Sequence, residues 1–146
     1  MKKITTNRKA YYEYYILDTY TAGIQLKGSE VKSVRLSNVS ITEAYCFIQD
    51  EEMFIKGMHI AEHKEGGKHY NHLPLRDRKL LLKKKEIQKL LQETSQQGLT
   101  IVPLEVYISN TGFIKVSIGL AKGKKTYDKR ESIKAKDIKR DLERNQ

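Results

Sequence analysis

Residues 99–120 read LTIVPLEVYISNTGFIKVSIGL, in which two runs rich in Val and Ile flank the tripeptide Asn110-Thr111-Gly112. β-Branched side chains pack well on a pleated surface, and a short turn containing Asn and Gly is typical of a β-hairpin. The stretch therefore predicts two antiparallel strands, Leu99–Ile108 and Phe113–Leu120. A hairpin of this length makes a β-rich fold the first expectation.

Shorter β-rich runs precede this hairpin, and polar or glycine-containing turns separate them. They predict four further strands, at residues 11–17, 23–26, 41–49 and 52–58. Residues 59–75 are mostly polar and contain Gly66-Gly67 and Pro74, so they predict a loop.

Two segments show helical patterns instead. Residues 29–36 begin with a serine, which favours the start of a helix, and predict a short helix. Residues 79–97 predict a long amphipathic helix with lysines on its polar face. Its apolar face carries Leu80, Ile87 and Leu91. We expect Asp77 to be the N-cap of this helix and Gly98 to lie just past its C-terminal end.

The number and spacing of these elements predict the fold class. The 146 residues are enough for one domain. About six strands joined by short turns favour a small antiparallel β-barrel, because a parallel sheet would need a crossover helix between strands. We expect one long and one or two short helices to flank this barrel, which would span residues 1–123. Residues 124–146 predict a basic C-terminal tail, because apolar residues are sparse there; it would lack fixed structure when free and become helical when bound.

The charge of the chain indicates the class of its partner. The 28 Lys and Arg residues exceed the 18 Asp and Glu residues, giving a formal net charge of +10. The basic residues cluster at 2–9, 76–85 and 122–144, and like charges on a small domain repel each other unless a partner compensates them. A phosphate backbone is the expected partner, and an anionic membrane surface is the alternative. No apolar run is long enough to span a membrane or to form a signal core, so we expect a cytoplasmic protein.

The residues that could carry catalysis form no convincing site. The four histidines lie close together in sequence, at His59, His63, His69 and His72. Their segment has no helical periodicity and no HExxH motif, so it predicts a polar surface loop; a metal-dependent enzyme is the rival reading. Cys46 lies in an apolar run and is an expected core residue, since a lone cysteine forms no intramolecular disulfide. The carboxylates show no pair spaced for acid–base chemistry. We therefore predict no enzymatic activity, no metal and no cofactor.

Aromatic residues alternate with basic ones near both ends of the chain. Lys and Arg supply salt-sensitive contacts to phosphates, and tyrosines can stack on unpaired bases. The alternative is that Tyr12 and Tyr14 point into the core and stack on nothing. A generic barrel that binds any single strand, without a dedicated partner, also fits this pattern.

Five segments of the chain occur in an order that is specific to one family. They are Asn7–Ala10, Ala22–Arg35, Arg76–Leu82, Gly98–Leu104 and Gly119–Arg130. Through them the chain resembles, nearly end to end, the SsrA-binding protein (small protein B, SmpB) family of bacterial trans-translation. The resemblance implies an OB-fold-like barrel that binds the tRNA-like domain of tmRNA (SsrA RNA) and delivers it to stalled ribosomes. It also implies a monomer whose tail occupies the decoding centre and the empty mRNA channel. Elongation factor Tu is a further expected partner, bound to the same RNA.

Two sets of candidate binding residues follow. The expected tmRNA contacts are Asn7, Gly23, Lys27, Glu30, Lys32, Arg76, Arg78, Lys79 and Leu81. The basic members would position phosphates, Gly23 and Leu81 would allow close approach to a base, and Glu30 would either join them or pair with a lysine and organise the helix start. The expected ribosome contacts are Lys122, Lys124, Lys125, Tyr127, Lys129, Arg130, Lys134, Lys136, Lys139 and Arg140.

The chain departs from the family pattern at a few positions. Thr21 stands where members usually carry an acidic residue, and Leu73 and Leu75 replace parts of an Asp-Pro-Thr-Arg motif. Ile138 stands where an aromatic residue is common. These departures affect individual contacts, while the five matching segments are unchanged.

Overall fold

The computed structural model describes residues 1–63, 71–96 and 98–124, which form nine strands and three helices. The strands are β1 (Lys2–Thr6), β2 (Tyr14–Ile24), β3 (Val39–Ser40), β4 (Tyr45–Gln49), β5 (Glu52–Lys56), β6 (His59–Ile60), β7 (Arg78–Leu81), β8 (Leu99–Ile108) and β9 (Ile114–Gly123). The helices are α1 (Arg8–Glu13), α2 (Gly28–Arg35) and α3 (Lys84–Thr94). None of these helices is long and apolar enough to cross a membrane.

Six strands close into a ring, which confirms the predicted antiparallel barrel. The ring runs β2–β7–β5–β4–β8–β9 and back to β2, and each neighbouring pair is antiparallel. Strand β1 adds to the edge of β8, and β3 pairs with β6 in a separate two-stranded sheet. The core contains buried side chains from every strand of the ring: Ala22, Cys46, Ile55, Leu80, Ile101 and Val116. Burial raises the pKa of the Cys46 thiol, so it stays protonated, as expected of a core cysteine.

The predicted hairpin is confirmed: β8 has the predicted boundaries, while β9 begins one residue later and ends three residues later than predicted. Its strands pair from Leu99↔Lys122 to Ile108↔Ile114, and Gly112 takes a positive φ of 90° in the turn. The predicted helix at 29–36 is also confirmed as α2. In both segments the local sequence favours the observed element, and the tertiary contacts stabilise it further.

The predicted strands at 11–17 and 23–26 are wrong in their boundaries. Residues 11–13 belong to α1, because the Asn7 side chain accepts a hydrogen bond from the Ala10 N–H (3.1 Å) and caps a helix whose Ala10 packs in the core. The chain then runs as one strand, β2, along β9, with an irregular register between Ile16 and Asp18.

The predicted helix at 79–97 is also wrong at its start. Residues 78–81 form β7, in which Arg78 and Leu80 are buried while Leu81 is exposed, the period of a strand. Lys83, not Asp77, is the N-cap of α3: its N–H donates to the Glu86 carboxylate at 3.0 Å. The helix ends at Thr94, so the positive φ of 85° at Gly98 serves the entry into β8 and not the end of the helix.

Further differences concern short segments. Strands β1 and β3 were not predicted, the predicted strand at 41–49 begins only at Tyr45, and the one at 52–58 ends at Lys56. The predicted loop 59–75 starts with β6, whose Ile60 is fully buried. Of the tail predicted at 124–146, residues 125–146 lie outside the described residues, as does the part of that loop at 64–70.

Candidate nucleic-acid interface

Glu30 on α2 is the centre of a buried ionic cluster. Its carboxylate is fully buried and accepts hydrogen bonds from the Arg76 guanidinium (2.7 and 2.9 Å), Arg78 Nε (2.7 Å) and the Lys27 N–H (2.7 Å). Arg78 is also buried, and its Nη1 donates to the carbonyl oxygen of Met58 at 2.6 Å. The cluster therefore joins the start of α2 to β7 and to the segment that precedes β7.

The cluster stays ionised. Burial alone would raise the pKa of the Glu30 carboxyl, but hydrogen bonds from Arg76, the Lys27 N–H and Arg78 outweigh burial and lower it below its ordinary value. Burial lowers the pKa of Arg78, and the Glu30 carboxylate opposes that shift. One carboxylate and two guanidiniums give the cluster a net charge of one positive unit. Arg76 exposes this charge to solvent, because its side chain is 26% exposed.

Three of the expected tmRNA contacts are buried: Asn7, Glu30 and Arg78. The Asn7 amide donates to the carbonyl oxygens of Ile41 and Pro103, so this residue fixes the chain between β1 and α1. An RNA atom cannot reach these side chains unless the fold opens. Burial therefore argues against direct contact by these three side chains, which are hydrogen-bonded within the fold. Glu30 does organise the helix start, through the hydrogen bond from the Lys27 backbone N–H, but its ion-pair partners are arginines and not a lysine side chain.

The other expected tmRNA contacts are accessible at least in part: Gly23, Lys27, Lys32, Arg76, Lys79 and Leu81. Gly23 and Leu81 come together, because they pair directly between β2 and β7. A Cβ on Gly23 would lie 3.4 Å from the Leu81 Cβ, so the glycine lets Leu81 lie close over β2. Lys79 contacts Glu52 at 2.8 Å on the outer face of β7.

Gly23 and Leu81 line a surface pocket of about 470 Å³, here called the Leu81–Phe113 pocket. Its other lining residues are Ile24, Leu26, Val31, Arg35, Gly112, Phe113, Ile114 and Lys115. Arg35, Phe113 and Lys115 were not predicted as binding residues. One feature of the sequence could have indicated a binding role: Phe113 is an aromatic residue directly after a hairpin turn.

Two of the expected ribosome contacts, Lys122 and Lys124, are among the described residues. They lie at and just after the C-terminal end of β9, far along the strand from the hairpin turn. The Lys124 N–H donates to the Glu13 carbonyl oxygen at 2.9 Å, and its ammonium lies 5.1 Å from the ring centre of Tyr15. Tyr12 is exposed, whereas Tyr14 packs against a second, smaller buried cluster that contains Ala10 of α1. The other expected ribosome contacts lie beyond the described part of the chain: Lys125, Tyr127, Lys129, Arg130, Lys134, Lys136, Lys139 and Arg140.

Among the described histidines, His72 differs from the expected surface loop. His72 is buried; its Nδ1 lies 2.8 Å from Ser29 Oγ, and its Nε2 lies 2.8 Å from the Ile60 carbonyl oxygen. A carbonyl only accepts, so Nε2 carries the proton and Nδ1 accepts from the Ser29 hydroxyl. Within residues 1–63, 71–96 and 98–124, no three His, Cys, Asp or Glu side chains are grouped so that they could hold a metal ion.

His72→Leu is expected to lower the free energy of unfolding by about 2–4 kcal/mol, because it leaves the buried Ser29 hydroxyl and Ile60 carbonyl without partners. Urea denaturation followed by circular dichroism measures this change. His59→Leu is the control, since His59 is exposed on β6, and we expect a change within about 0.5 kcal/mol. Equal effects of the two variants would contradict a structural role for His72.

The closed six-stranded ring, its flanking helices and the exposed lysines define a small basic β-barrel of the OB-fold-like class. The family model for SmpB protein matches residues 4–146, and the chain belongs to the SmpB family.

Curated relatives and a solved structure agree with this assignment. The SsrA-binding protein of Cytophaga hutchinsonii is 51% identical over 138 residues, which cover 94% of this chain and 90% of the relative. The SsrA-binding protein of Macrococcus caseolyticus is 50% identical over 143 residues, which cover 98% of this chain and 92% of the relative. A chain of the solved structure described as "tmRNA-SmpB: a journey to the center of the bacterial ribosome" matches with a TM-score of 0.71 and 45% identity, covering 94% of this chain and 96% of that one.

Proposed function

We propose that this protein is the RNA-binding adaptor of trans-translation, which binds the tRNA-like domain of tmRNA and delivers it to stalled ribosomes. The observation that carries the proposal is the similarity, over 94% of the chain, to a chain of a tmRNA–SmpB structure of the bacterial ribosome. The charge of +10 supports it, because an RNA partner neutralises that charge. This role requires binding and placement, and no bond-making step by this chain. A ribosomal partner also means that the protein acts in the cytoplasm.

Within this proposal, the accessible residues of the tmRNA set make the contacts. Lys27, Lys32, Arg76 and Lys79 bind phosphates, while Gly23 and Leu81 offer an apolar surface. The buried residues Asn7, Glu30 and Arg78 position them. Arg76 is the clearest case, since its guanidinium is held by the Glu30 carboxylate in two hydrogen bonds and still has one side exposed.

The ribosome contacts belong to the other end of the chain in this proposal. Lys122 and Lys124 begin a basic segment that continues through Arg140 and enters the decoding centre and the empty mRNA channel. The protein acts as a monomer, and elongation factor Tu binds the same RNA elsewhere.

Affinity for the tRNA-like domain is expected to fall steeply with salt. Each phosphate contact contributes a slope of about −0.7 to −0.9 in a log–log plot, so the four cations named above predict a slope near −3. An increase from about 50 to 200 mM KCl would then weaken binding roughly 50- to 150-fold. Gel shifts at several salt concentrations measure this slope. An affinity that stays flat over that range would contradict the electrostatic contribution.

The same gel shifts at one salt concentration test whether tmRNA is the dedicated partner. Ordinary tRNA and random RNA of equal length are the comparisons. We expect tmRNA to bind most tightly, because shape and base contacts add to the phosphate term for that RNA alone. Equal affinity for all three would favour a generic single-strand-binding barrel instead.

A further inference from the structure

The Leu81–Phe113 pocket combines an apolar surface with positive charge. In the part of the chain that the structure describes, its charged lining residues are Arg35 and Lys115, and no carboxylate lines it. A second pocket, of about 220 Å³ beside α1, contains Glu13 and Glu43 together with Lys9. An anionic ligand is therefore favoured at the first pocket and opposed at the second.

The hairpin turn fixes the backbone of Phe113 at the rim of the pocket. The Ser109 N–H donates to the Phe113 carbonyl oxygen at 2.8 Å, and the Phe113 N–H donates to Ser109 Oγ at 3.2 Å. Arg35 of α2 donates to the Gly112 carbonyl oxygen at 3.0 Å, which ties the turn to the helix. Because the turn is fixed from two sides, the backbone that carries the ring loses little entropy when the turn binds a partner.

The Phe113 ring is nevertheless 67% exposed, and Leu81 across the pocket is 44% exposed. An exposed aromatic ring at a pocket rim, opposite an aliphatic side chain and flanked by cations, matches the chemistry of an unpaired nucleotide. The base stacks on the ring, and the phosphates meet the cations. The volume of about 470 Å³ lies within the roughly 300–1,000 Å³ typical of ligand pockets.

We propose that this pocket binds one unpaired nucleotide of the tRNA-like domain, with the base stacked on Phe113 and against Leu81. Lys115 and the outer face of the Arg35 guanidinium contact the flanking phosphates. The hairpin formed by β8 and β9 thereby becomes part of the tmRNA interface. This inference rests on the proposed function, since it assigns a contact within the same complex.

Phe113→Ala is expected to weaken binding of the tRNA-like domain roughly 5- to 150-fold, the loss typical of one stacked base. Phe113→Tyr keeps the ring and should bind within about threefold of the unsubstituted protein. Leu36→Ala is the matched control, because Leu36 is 62% exposed at the end of α2 and does not line the pocket. Gel shifts at fixed salt measure all three variants, and circular dichroism verifies that each is folded.

Fluorescence supplies a second readout, because the chain contains no tryptophan. Phe113→Trp introduces a single tryptophan, at the pocket, whose emission can be excited apart from the nine tyrosines, and stacking on a base should quench it when the RNA binds. Leu36→Trp should show no quenching on binding. Quenching at both positions, or at neither, would overturn the assignment of the pocket.

The outcomes separate this inference from the proposed function. If the unsubstituted protein shows no preference for tmRNA, the proposed function fails. If it prefers tmRNA and Phe113→Ala binds as tightly as Leu36→Ala, the pocket inference alone fails. The inference also fails if Phe113→Ala keeps its tmRNA affinity and loses activity only on the ribosome.

Discussion

Replacing Arg78 with leucine is expected to lower the free energy of unfolding by about 3–5 kcal/mol, because it leaves the Glu30 carboxylate buried beside one guanidinium instead of two. Arg78 also donates to the Met58 and Pro74 carbonyl oxygens, at 2.6 and 3.0 Å, and both would lose a partner. Small domains are stable by only about 5–15 kcal/mol, so this single change removes a large part of the stability. Urea denaturation at neutral pH measures the loss.

Lys79→Met is the matched control for this experiment. Lys79 is the next residue on β7, and its ion pair with Glu52 is exposed, so its loss should cost less than about 1 kcal/mol. A change of similar size in the two variants would show that the buried cluster does not hold the fold. tmRNA affinity of Arg78→Leu, measured where the variant is still folded, should also fall, because Arg76 loses its fixed position.

The pH dependence of unfolding gives the same cluster a second check. The pKa of Glu30 is lower in the folded protein than in the unfolded chain, so its contribution to stability is complete above the unfolded value of about 4.3. That contribution is lost as the pH falls through the folded pKa. Glu30→Gln should therefore flatten the acid side of the stability profile. An unchanged slope below pH 5 would argue against an ionised Glu30.

The sequence predicted best those elements whose signals are local. In the hairpin of β8 and β9, β-branched runs flank a turn that needs a glycine, and both strands and the turn were predicted correctly apart from the ends of β9. Strand β7 was missed because Leu80-Leu81-Leu82 fits a helix as well as a strand. Its pairing with Met53 on β5 and Gly23 on β2 decides the outcome, and those partners are distant in sequence.

The candidate site shows the same division between local and distant information. The sequence identified Gly23 and Leu81, which pair in the structure and line one pocket. It could not distinguish an exposed arginine from a buried one, so Arg78 was expected to contact RNA, whereas Arg76, two residues away, has an exposed side. Phe113 was overlooked because its role depends on what α2 and β7 place beside the hairpin.

The barrel and the tail are expected to carry separable functions, which a chain ending at Lys124 tests. This end point keeps the hydrogen bond from the Lys124 N–H to Glu13 and the contact of its ammonium with Tyr15. The 22 residues removed contain eight Lys and Arg and five Asp and Glu, so only +3 of the net +10 is lost. The barrel keeps the Leu81–Phe113 pocket and the accessible cations of the tmRNA set.

We expect the shortened protein to bind tmRNA less than about tenfold more weakly, because most of the phosphate contacts are retained. On the ribosome it should fail: single-round alanine transfer to a stalled chain should fall to the level measured without the protein. A full-length variant with Lys134, Lys136, Lys139 and Arg140 changed to glutamine separates charge from chain length. If the tail acts through phosphate contacts in a channel walled by RNA, this variant should fail as the truncation does. Loss of tmRNA affinity on truncation, or alanine transfer that survives it, would contradict the division between barrel and tail.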